Sequence, residues 1–349
     1  MTCRTDREPR GPLRYALVLA VLTAALAAAV VAGLAFGQVH IPPGQVLDIL
    51  FGNAEPSPLR TIVLDVRLPR VLLGAVVGAG LAVVGTVLQA LVRNPLADPY
   101  LLGVSSGAST GVVLVIVTGI GSGIGLATNV TMPAGAFTGA LLATVLVYAL
   151  ARRGGQLTGP RLVLAGVAVA YILTALTSLM LVMSPRSEHF KEAMYWSLGG
   201  LGSARWDMLL LPAAVLAVGT ALLIAVARPL DLMLVGEEGA TVLGLDTSRF
   251  RAAIFLLTSL VTGVLVAVSG AIGFIGLMVP HAARMVVGAS HRTLLPVVAL
   301  AGAAFLVAAD LAARTVATPQ DVPVGILTAL TGGPFFLWML RRRPEGAPA

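Results

Sequence analysis

Ten apolar segments, each close to the length that crosses a lipid bilayer, recur along the 349-residue chain and constrain its fold more than any other feature. About 20 apolar residues are enough to cross the ~30 Å hydrocarbon core as a helix. Charged residues make up 11% of the chain, whereas a soluble domain carries about 25%. The approximate bounds of the segments are 15–36, 70–91, 99–118, 132–151, 161–183, 206–227, 250–269, 272–289, 294–311 and 324–340.

This pattern predicts an all-α integral membrane fold with about ten transmembrane helices and short broken or re-entrant segments. No long stretch is polar enough to form a separate soluble domain, so we expect one polytopic domain over residues 15–343. Short tails are expected at residues 1–14 and 344–349. The apolar run after residue 14 is longer than the core of a signal peptide, which has about 7–15 residues. An uncleaved first span is therefore favoured.

Basic residues are distributed unevenly between the two sides of the predicted spans. Ten spans put both termini on one side, and 16 of the 23 basic residues fall on that side. Because Lys and Arg are enriched in cytoplasmic loops, we expect both termini in the cytoplasm of a bacterium, with the chain as a multi-pass protein of the cytoplasmic membrane. The basic residues stand singly between apolar runs, which indicates contact with membrane lipid and not with nucleic acid.

The eighth predicted span is interrupted. Gly273, Gly276 and Pro280 break the apolar run, and His281 follows directly. Broken helix at bilayer depth persists only where it is packed in protein or lines a wet cavity, since lipid cannot satisfy freed backbone groups. The segment fits a conduit wall, and it fits equally a Gly-rich helix contact with a Pro kink.

Two loops are long enough to hold structure of their own. The outer segment 37–69 contains four prolines and is expected to lie along the membrane surface. The inner segment 228–249 has two short apolar stretches around a Gly-Glu-Glu turn, and neither stretch can span. We expect two short cytoplasmic helices, whose apolar side chains stay exposed unless they meet headgroups or another protein.

The chain lacks the residues that would bind and hydrolyse ATP to drive transport. A phosphate-binding P-loop needs Gly-Lys-Ser/Thr, and the only lysine, Lys191, stands between Phe190 and Glu192. We therefore expect no ATP hydrolysis by this chain, which is predicted not to be an enzyme. Asp310 is the one carboxylate near a span interior; pairing with Arg314 at i+4 and a transport role are both open.

Cofactor chemistry has little support in the sequence. Cys3 is the only cysteine, and the four histidines are far apart. We therefore expect no metal site, no bound cofactor and no catalytic residue. A passive conduit driven by a partner remains, with an ion-coupled secondary carrier and an intramembrane enzyme as the competing classes.

Seven segments, in order, resemble the transmembrane permease subunit of the ABC importers (type II) that take up iron–siderophore complexes, haem and cobalamin. The segments are RLPR (67–70), GAGLAVVGTVLQALVRNPLADPYLLG (78–103), RLVLAGVA (161–168), YWSLGGLG (195–202), LVGEEGATVLGL (234–245), GAIGFIGLMVPHAAR (270–284) and PVGILTALTGGPFF (323–336).

The resemblance implies a fold like that of the cobalamin-importer permease, with ten helices in each of two permease subunits. The second subunit would be another copy or a related permease. The implied partners are a cytoplasmic ABC ATPase dimer and an extracytoplasmic substrate-binding lipoprotein. The implied cargo is an iron(III)–siderophore-type chelate, with haem or cobalamin as alternatives.

The resemblance also assigns roles to particular positions. Docking of the binding protein falls to Arg67, Arg70 and Arg314, although anchoring at headgroups would explain the first two. Coupling to the ATPase falls to the loop 228–249, at Gly236, Glu237, Ala240, Leu243 and Gly244, unless this loop is simply solvated. The cytoplasmic gate falls to Asn94, Pro95, Leu96 and Thr158, where the first turn could equally be a structural connection.

Overall fold

The computed structural model describes residues 11–53, 55–120, 128–154 and 156–341. Residues 1–10 of the predicted N-terminal tail and the whole predicted tail at 344–349 lie outside these ranges, as does Cys3.

Fifteen α-helices make up the described part of the chain. They are α1 (Pro12–Ala35), α2 (Pro43–Leu50), α3 (Pro58–Thr61), α4 (Leu68–Val92), α5 (Val104–Thr118), α6 (Thr128–Ala151), α7 (Gly159–Val182), α8 (Ser187–Ser197), α9 (Leu210–Ala225), α10 (Ala227–Val235), α11 (Glu237–Val242), α12 (Thr247–Ser269), α13 (Ile275–Val287), α14 (His291–Thr315) and α15 (Val324–Arg341). Single 3₁₀ turns lie at Pro99–Leu102 and Trp206–Met208.

Within the described ranges, seven helical stretches are long and apolar enough to cross a membrane, and three shorter apolar helices, α5, α13 and the apolar part of α15, accompany them. These ten stretches correspond to the ten predicted spans, so the predicted fold class is confirmed. One small element was not predicted. Strands β1 (Arg152–Arg153) and β2 (Gln156–Leu157) pair antiparallel, with Arg152 opposite Leu157.

The outer segment differs in part from its prediction. Residues 43–50 form the separate short helix α2, but Pro58–Val92 is one continuous helical stretch of 35 residues. Pro58 starts it, and the Ser57 side chain accepts a hydrogen bond from the Arg60 N–H at 3.3 Å. Pro69 cannot donate to the helical ladder, and the preceding turn, Ile62–Arg67, widens into a π-helix. The expectation of a surface-lying segment is therefore wrong for 58–69.

Helix α4 lies at the centre of the bundle. In the stretch that contains it, 83% of the apolar window is buried, against 11% for α1 and 17% for α7. Its glycines let neighbouring backbones approach closely. A Cβ on Gly78 would lie 2.3 Å from the carbonyl oxygen of Gly302 in α14, and one on Gly85 only 2.1 Å from that of Gly276 in α13.

Candidate functional site

The predicted docking arginines are buried at one end of the bundle, beside the end of α1. Arg67 is 6% exposed, and its guanidinium donates to the carbonyl oxygens of Leu34 (2.6 Å), Ala35 (3.1 Å) and Val39 (2.5 Å). These carbonyls belong to the end of α1 and the turn after it, where helix carbonyls lack intrahelical partners. Arg67 therefore ties the end of α1 to the helix that contains α4.

Arg70 and Arg314 share one buried carboxylate. Asp310, 2% exposed, lies 2.9 Å from Arg70 Nη2 and 3.1 Å from Arg314 Nε. Arg70 also pairs with Asp321 at 2.6 Å. The predicted pairing of Asp310 with Arg314 is thus present. The expected exposure of the arginines is corrected, because their guanidinium groups are held by internal acceptors; a docking role for them stays a prediction.

The break between α12 and α13 spans residues 270–274; Gly270 and Ile272 are buried, and the other three residues are partly buried. Gly270 and Phe274 both adopt left-handed backbone, with φ of 65° and 69°. The Tyr100 hydroxyl donates to the Ile272 carbonyl at 2.8 Å and accepts from the Ile272 N–H at 2.7 Å. One phenol therefore satisfies both backbone groups of a residue that has no helical partners.

Pro280 frees a second backbone group, four residues earlier in α13. Since proline has no N–H, the Gly276 carbonyl loses its helical donor, and the side-chain amide of Gln89 in α4 donates to it at 3.0 Å. The Gln89 carbonyl oxygen in turn accepts from Arg284. The sequence analysis did not single out Gln89 or Tyr100; the available signal was a glutamine, 3% exposed here, within an apolar span.

The remaining residues of the broken segment divide into packed and open positions. His281 packs edge-to-face on Phe335 of α15, with ring centroids 6.1 Å apart. Gly276 contacts α4 closely, whereas a Cβ on Gly273 would meet no atom within 4 Å. Gly276 therefore makes the predicted helix contact, and α13 continues through Gly276 and Pro280. Gly273 borders open space, and its place in a conduit wall stays a prediction.

The predicted coupling element forms two short helices, α10 and α11, joined at Gly236. Gly236 has φ of 122°, which a side chain would strain. Val242 and Leu243 at the end of α11 are 87% and 61% exposed. Ala240 is fully buried, which corrects the expectation that it lies on the partner-facing surface.

The first predicted gate element is a tight turn after α4. The Asn94 side-chain carbonyl accepts the Leu96 N–H at 2.9 Å, and the Asn94 backbone carbonyl accepts the Ala97 N–H at 3.0 Å. Pro95 lies between Asn94 and Leu96, and its ring fixes the backbone of the turn. Asp98 follows and caps the next 3₁₀ turn through the Tyr100 N–H; burial raises the pKa of its carboxyl to about 6.

The second gate element, at Thr158, follows strand β2 and begins α7. It is fastened to the first turn of α12, because the Leu157 N–H donates to the Ser248 hydroxyl at 3.1 Å. A cleft of about 740 Å³ lies between this connection and α11, and its lining includes Gln156, Thr158, Glu237 and Arg251.

Arg251 joins the gate elements to the coupling element. It is 1% exposed. Its Nη2 lies 2.5 Å from a Glu237 carboxylate oxygen, its Nη1 donates to the Leu157 carbonyl at 2.5 Å, and its Nε donates to the Leu91 carbonyl at 3.4 Å. In the sequence, Arg251 is one of the 16 basic residues on the predicted cytoplasmic side, and nothing else marks it. Only the fold shows its three partners, which lie 14, 94 and 160 residues away.

Across the described ranges, no three His, Cys, Asp or Glu side chains are grouped as metal ligands are.

Comparison with known proteins gives concordant matches over most of the chain. The profile of the FecCD transport family matches residues 25–342. The cobalamin import system permease protein BtuC of Halobacterium salinarum is 49% identical over 82% of this chain and 75% of its own length. The hemin transport system permease protein HmuU of Yersinia pestis is 41% identical over 97% of both chains.

A solved structure agrees with these matches. An inward-facing conformation of a metal-chelate type ABC transporter superposes with a TM-score of 0.81 at 29% identity, covering 94% of this chain and 100% of that chain.

Proposed function

Because the chain belongs to the FecCD transport family, we propose that it is the permease subunit of an ATP-driven importer that moves a bulky metal chelate across the cytoplasmic membrane. The observation that carries this proposal is the surface around α11, where an exposed apolar element is linked through Arg251 to the chain next to both predicted gate elements. ATP hydrolysis belongs to a separate ATPase dimer that grips α11. A binding lipoprotein delivers cargo to the outer face, and a second permease subunit completes the path.

The exposed side chains of α11 support the ATPase contact. Val242 and Leu243 are adjacent and expose apolar side chains. Exposed apolar side chains that are grouped together mark interaction sites. Replacing both by Asp is expected to abolish co-purification of the ATPase with the permease. Phe51→Asp is the matched control, because Phe51 is 77% exposed but follows α2 on the outer segment. Equal ATPase recovery from both variants would remove α11 from that interface.

The cargo is proposed at the level of a class. The sequence analysis puts an iron(III)–siderophore-type chelate first. The names of the relatives support cobalamin and hemin as the other members of the class. All three are large chelates, and a permease that only provides a path leaves selectivity mostly to the binding protein. Weak binding along the path is expected, because a tight site would trap the cargo.

Uptake into proteoliposomes tests this function. The full complex, reconstituted with its ATPase and binding protein, is expected to accumulate one of cyanocobalamin, hemin or a ferric siderophore only when MgATP is supplied. Uptake by the permease alone, driven by a pH or Na⁺ gradient, would instead establish the ion-coupled carrier.

A further inference from the structure

We propose that Arg251 is the positioning residue through which movement of the coupling helix α11 reaches both cytoplasmic gate elements. The inference rests on the proposed function, since it concerns how an ATPase on α11 would act. It goes beyond the proposed function because it names a single side chain as the connection between the coupling helix and the gate elements. Arg251 itself is outside the predicted coupling and gate positions.

The contacts of Arg251 are divided among three separate parts of the inner face. The Leu91 carbonyl is in the last turn of α4, just before the Asn94 turn. The Leu157 carbonyl is in β2, directly before Thr158. Glu237 is the first residue of α11. One guanidinium thus holds the chain next to both gate elements and the helix that faces the proposed partner.

The chemistry of the guanidinium makes this connection stiff. Its donors are fixed in one plane, so a shift of one bonded partner cannot be absorbed by rotation of a single donor as in a lysine. The cation is also buried, and a buried charge that loses its carboxylate is strongly disfavoured. Movement of Glu237 is therefore expected to carry Arg251 with it and to change the two carbonyl contacts.

Glu237 is far more exposed than Arg251, and this difference determines which of the two a cytoplasmic partner reaches first. The Arg251 side chain is 2% exposed and that of Glu237 is 41% exposed. Glu237 stands at the rim of the cleft of about 740 Å³ that separates α11 from the second gate element, so α11 has free space beside it. A force applied from the cytoplasm therefore acts first on Glu237 and then, through Arg251, on the interior.

Two pairs of variants separate this connection from general stability. Glu237→Gln removes the charge attraction at a half-exposed position and leaves the carbonyl contacts of Arg251 in place; Glu238→Gln, at the exposed neighbouring position, is its control. Arg251→Lys keeps the positive charge but not the planar, forked donors of the guanidinium, and Arg251→Gln removes both. Arg249→Gln is the control for this pair. The Arg249 side chain is 91% exposed and, among the described ion pairs, pairs only with Asp246.

The measurement follows the gate directly and needs no cargo. Gln156→Cys, in a Cys3→Ser background, provides a single thiol beside the second gate element. In the reconstituted permease–ATPase complex, the rate of maleimide labelling is compared with and without MgATP, together with ATP hydrolysis.

We expect MgATP to change the labelling rate in the parent and in both controls. In Glu237→Gln the MgATP-dependent change in labelling rate, divided by the hydrolysis rate of the same sample, should shrink by at least ~5-fold, the lower end of typical coupling effects. Arg251→Lys should recover more of the response than Arg251→Gln.

A normal labelling response in Glu237→Gln would overturn the inference and leave the proposed function standing. Loss of ATPase binding in Glu237→Gln but not in Glu238→Gln would also overturn it, by placing Glu237 in the interface itself. If the parent complex hydrolyses ATP but MgATP does not change its labelling rate, both this inference and the proposed gating would be overturned.

Discussion

Gln89 shows at the scale of one residue how this fold accommodates a proline in the middle of the bundle. Its amide donates to the Gly276 carbonyl that Pro280 leaves free, and its carbonyl oxygen accepts from Arg284. A short aliphatic side chain could fill the same space but could do neither. Gln89 thus satisfies a carbonyl that lies 187 residues further along the chain.

Replacing Gln89 by Leu is therefore expected to lower the free energy of unfolding by about 1–3 kcal/mol, because it leaves the Gly276 carbonyl and one Arg284 donor unpaired. The melting temperature in detergent measures the effect. Gln38→Leu is the control, since Gln38 makes an exposed hydrogen bond to the Pro319 carbonyl. Equal melting temperatures for the two variants would mean that water satisfies the break.

Asp310 provides a second test at this scale. Asp310→Ala is expected to destabilise the protein by about 3–5 kcal/mol, because Arg70 loses a buried partner and Arg314 loses the one carboxylate that, among the described residues, lies within ion-pair distance of it. Asp207→Ala, which breaks an exposed pair with Arg205, should cost about 0–1 kcal/mol. If Asp310→Ala left the melting temperature unchanged and abolished a proton-gradient dependence of uptake that the parent shows, the carboxylate would have the transport role instead.

Among the helices, packing depends on how closely glycine backbones meet. Gly85 and Gly276 stack where α4 crosses α13, and the distance between these helices sets the position of the broken segment. The glycines of the interrupted eighth span favoured a close helix contact as one of two interpretations. They did not predict which glycine faces which helix, because that depends on the rotation of each helix about its axis.

Gly85→Ala is expected to destabilise the bundle by about 1–3 kcal/mol, because its Cβ would lie 2.1 Å from a backbone oxygen that cannot rotate away. Gly273 lies in the broken segment, and a Cβ there would have no atom within 4 Å. Gly273→Ala should therefore change stability by less than about 0.5 kcal/mol. Thermal unfolding of both variants in detergent checks the contrast, and a reversed order would refute the assigned contact.

The orientation of the whole molecule can be tested with the same single-cysteine strategy. In a Cys3→Ser background, Val242→Cys and Phe51→Cys each place one exposed thiol at a helix end, after α11 and after α2. The excess of basic residues on one side predicts that the thiol after α2 faces outward and the thiol after α11 faces the cytoplasm. A membrane-impermeant maleimide should therefore label Phe51→Cys in intact cells and Val242→Cys only after permeabilisation. Labelling of Val242→Cys in intact cells would invert the topology.

The fold class and the ten apolar stretches follow from the amino-acid sequence, because hydrophobic length is a local property. The glycine-rich run after α12 likewise marks where helix stops, whereas Pro280 lies inside α13. The motif order indicated the family and the coupling loop. The positions of the charges depend on the tertiary packing. Arg67, Arg70 and Arg314 turned inward to carbonyls and Asp310, and Arg251 met partners from three distant parts of the chain. An arginine in an apolar context must find an acceptor, but which acceptor it finds is set by how helices far apart in sequence are packed together.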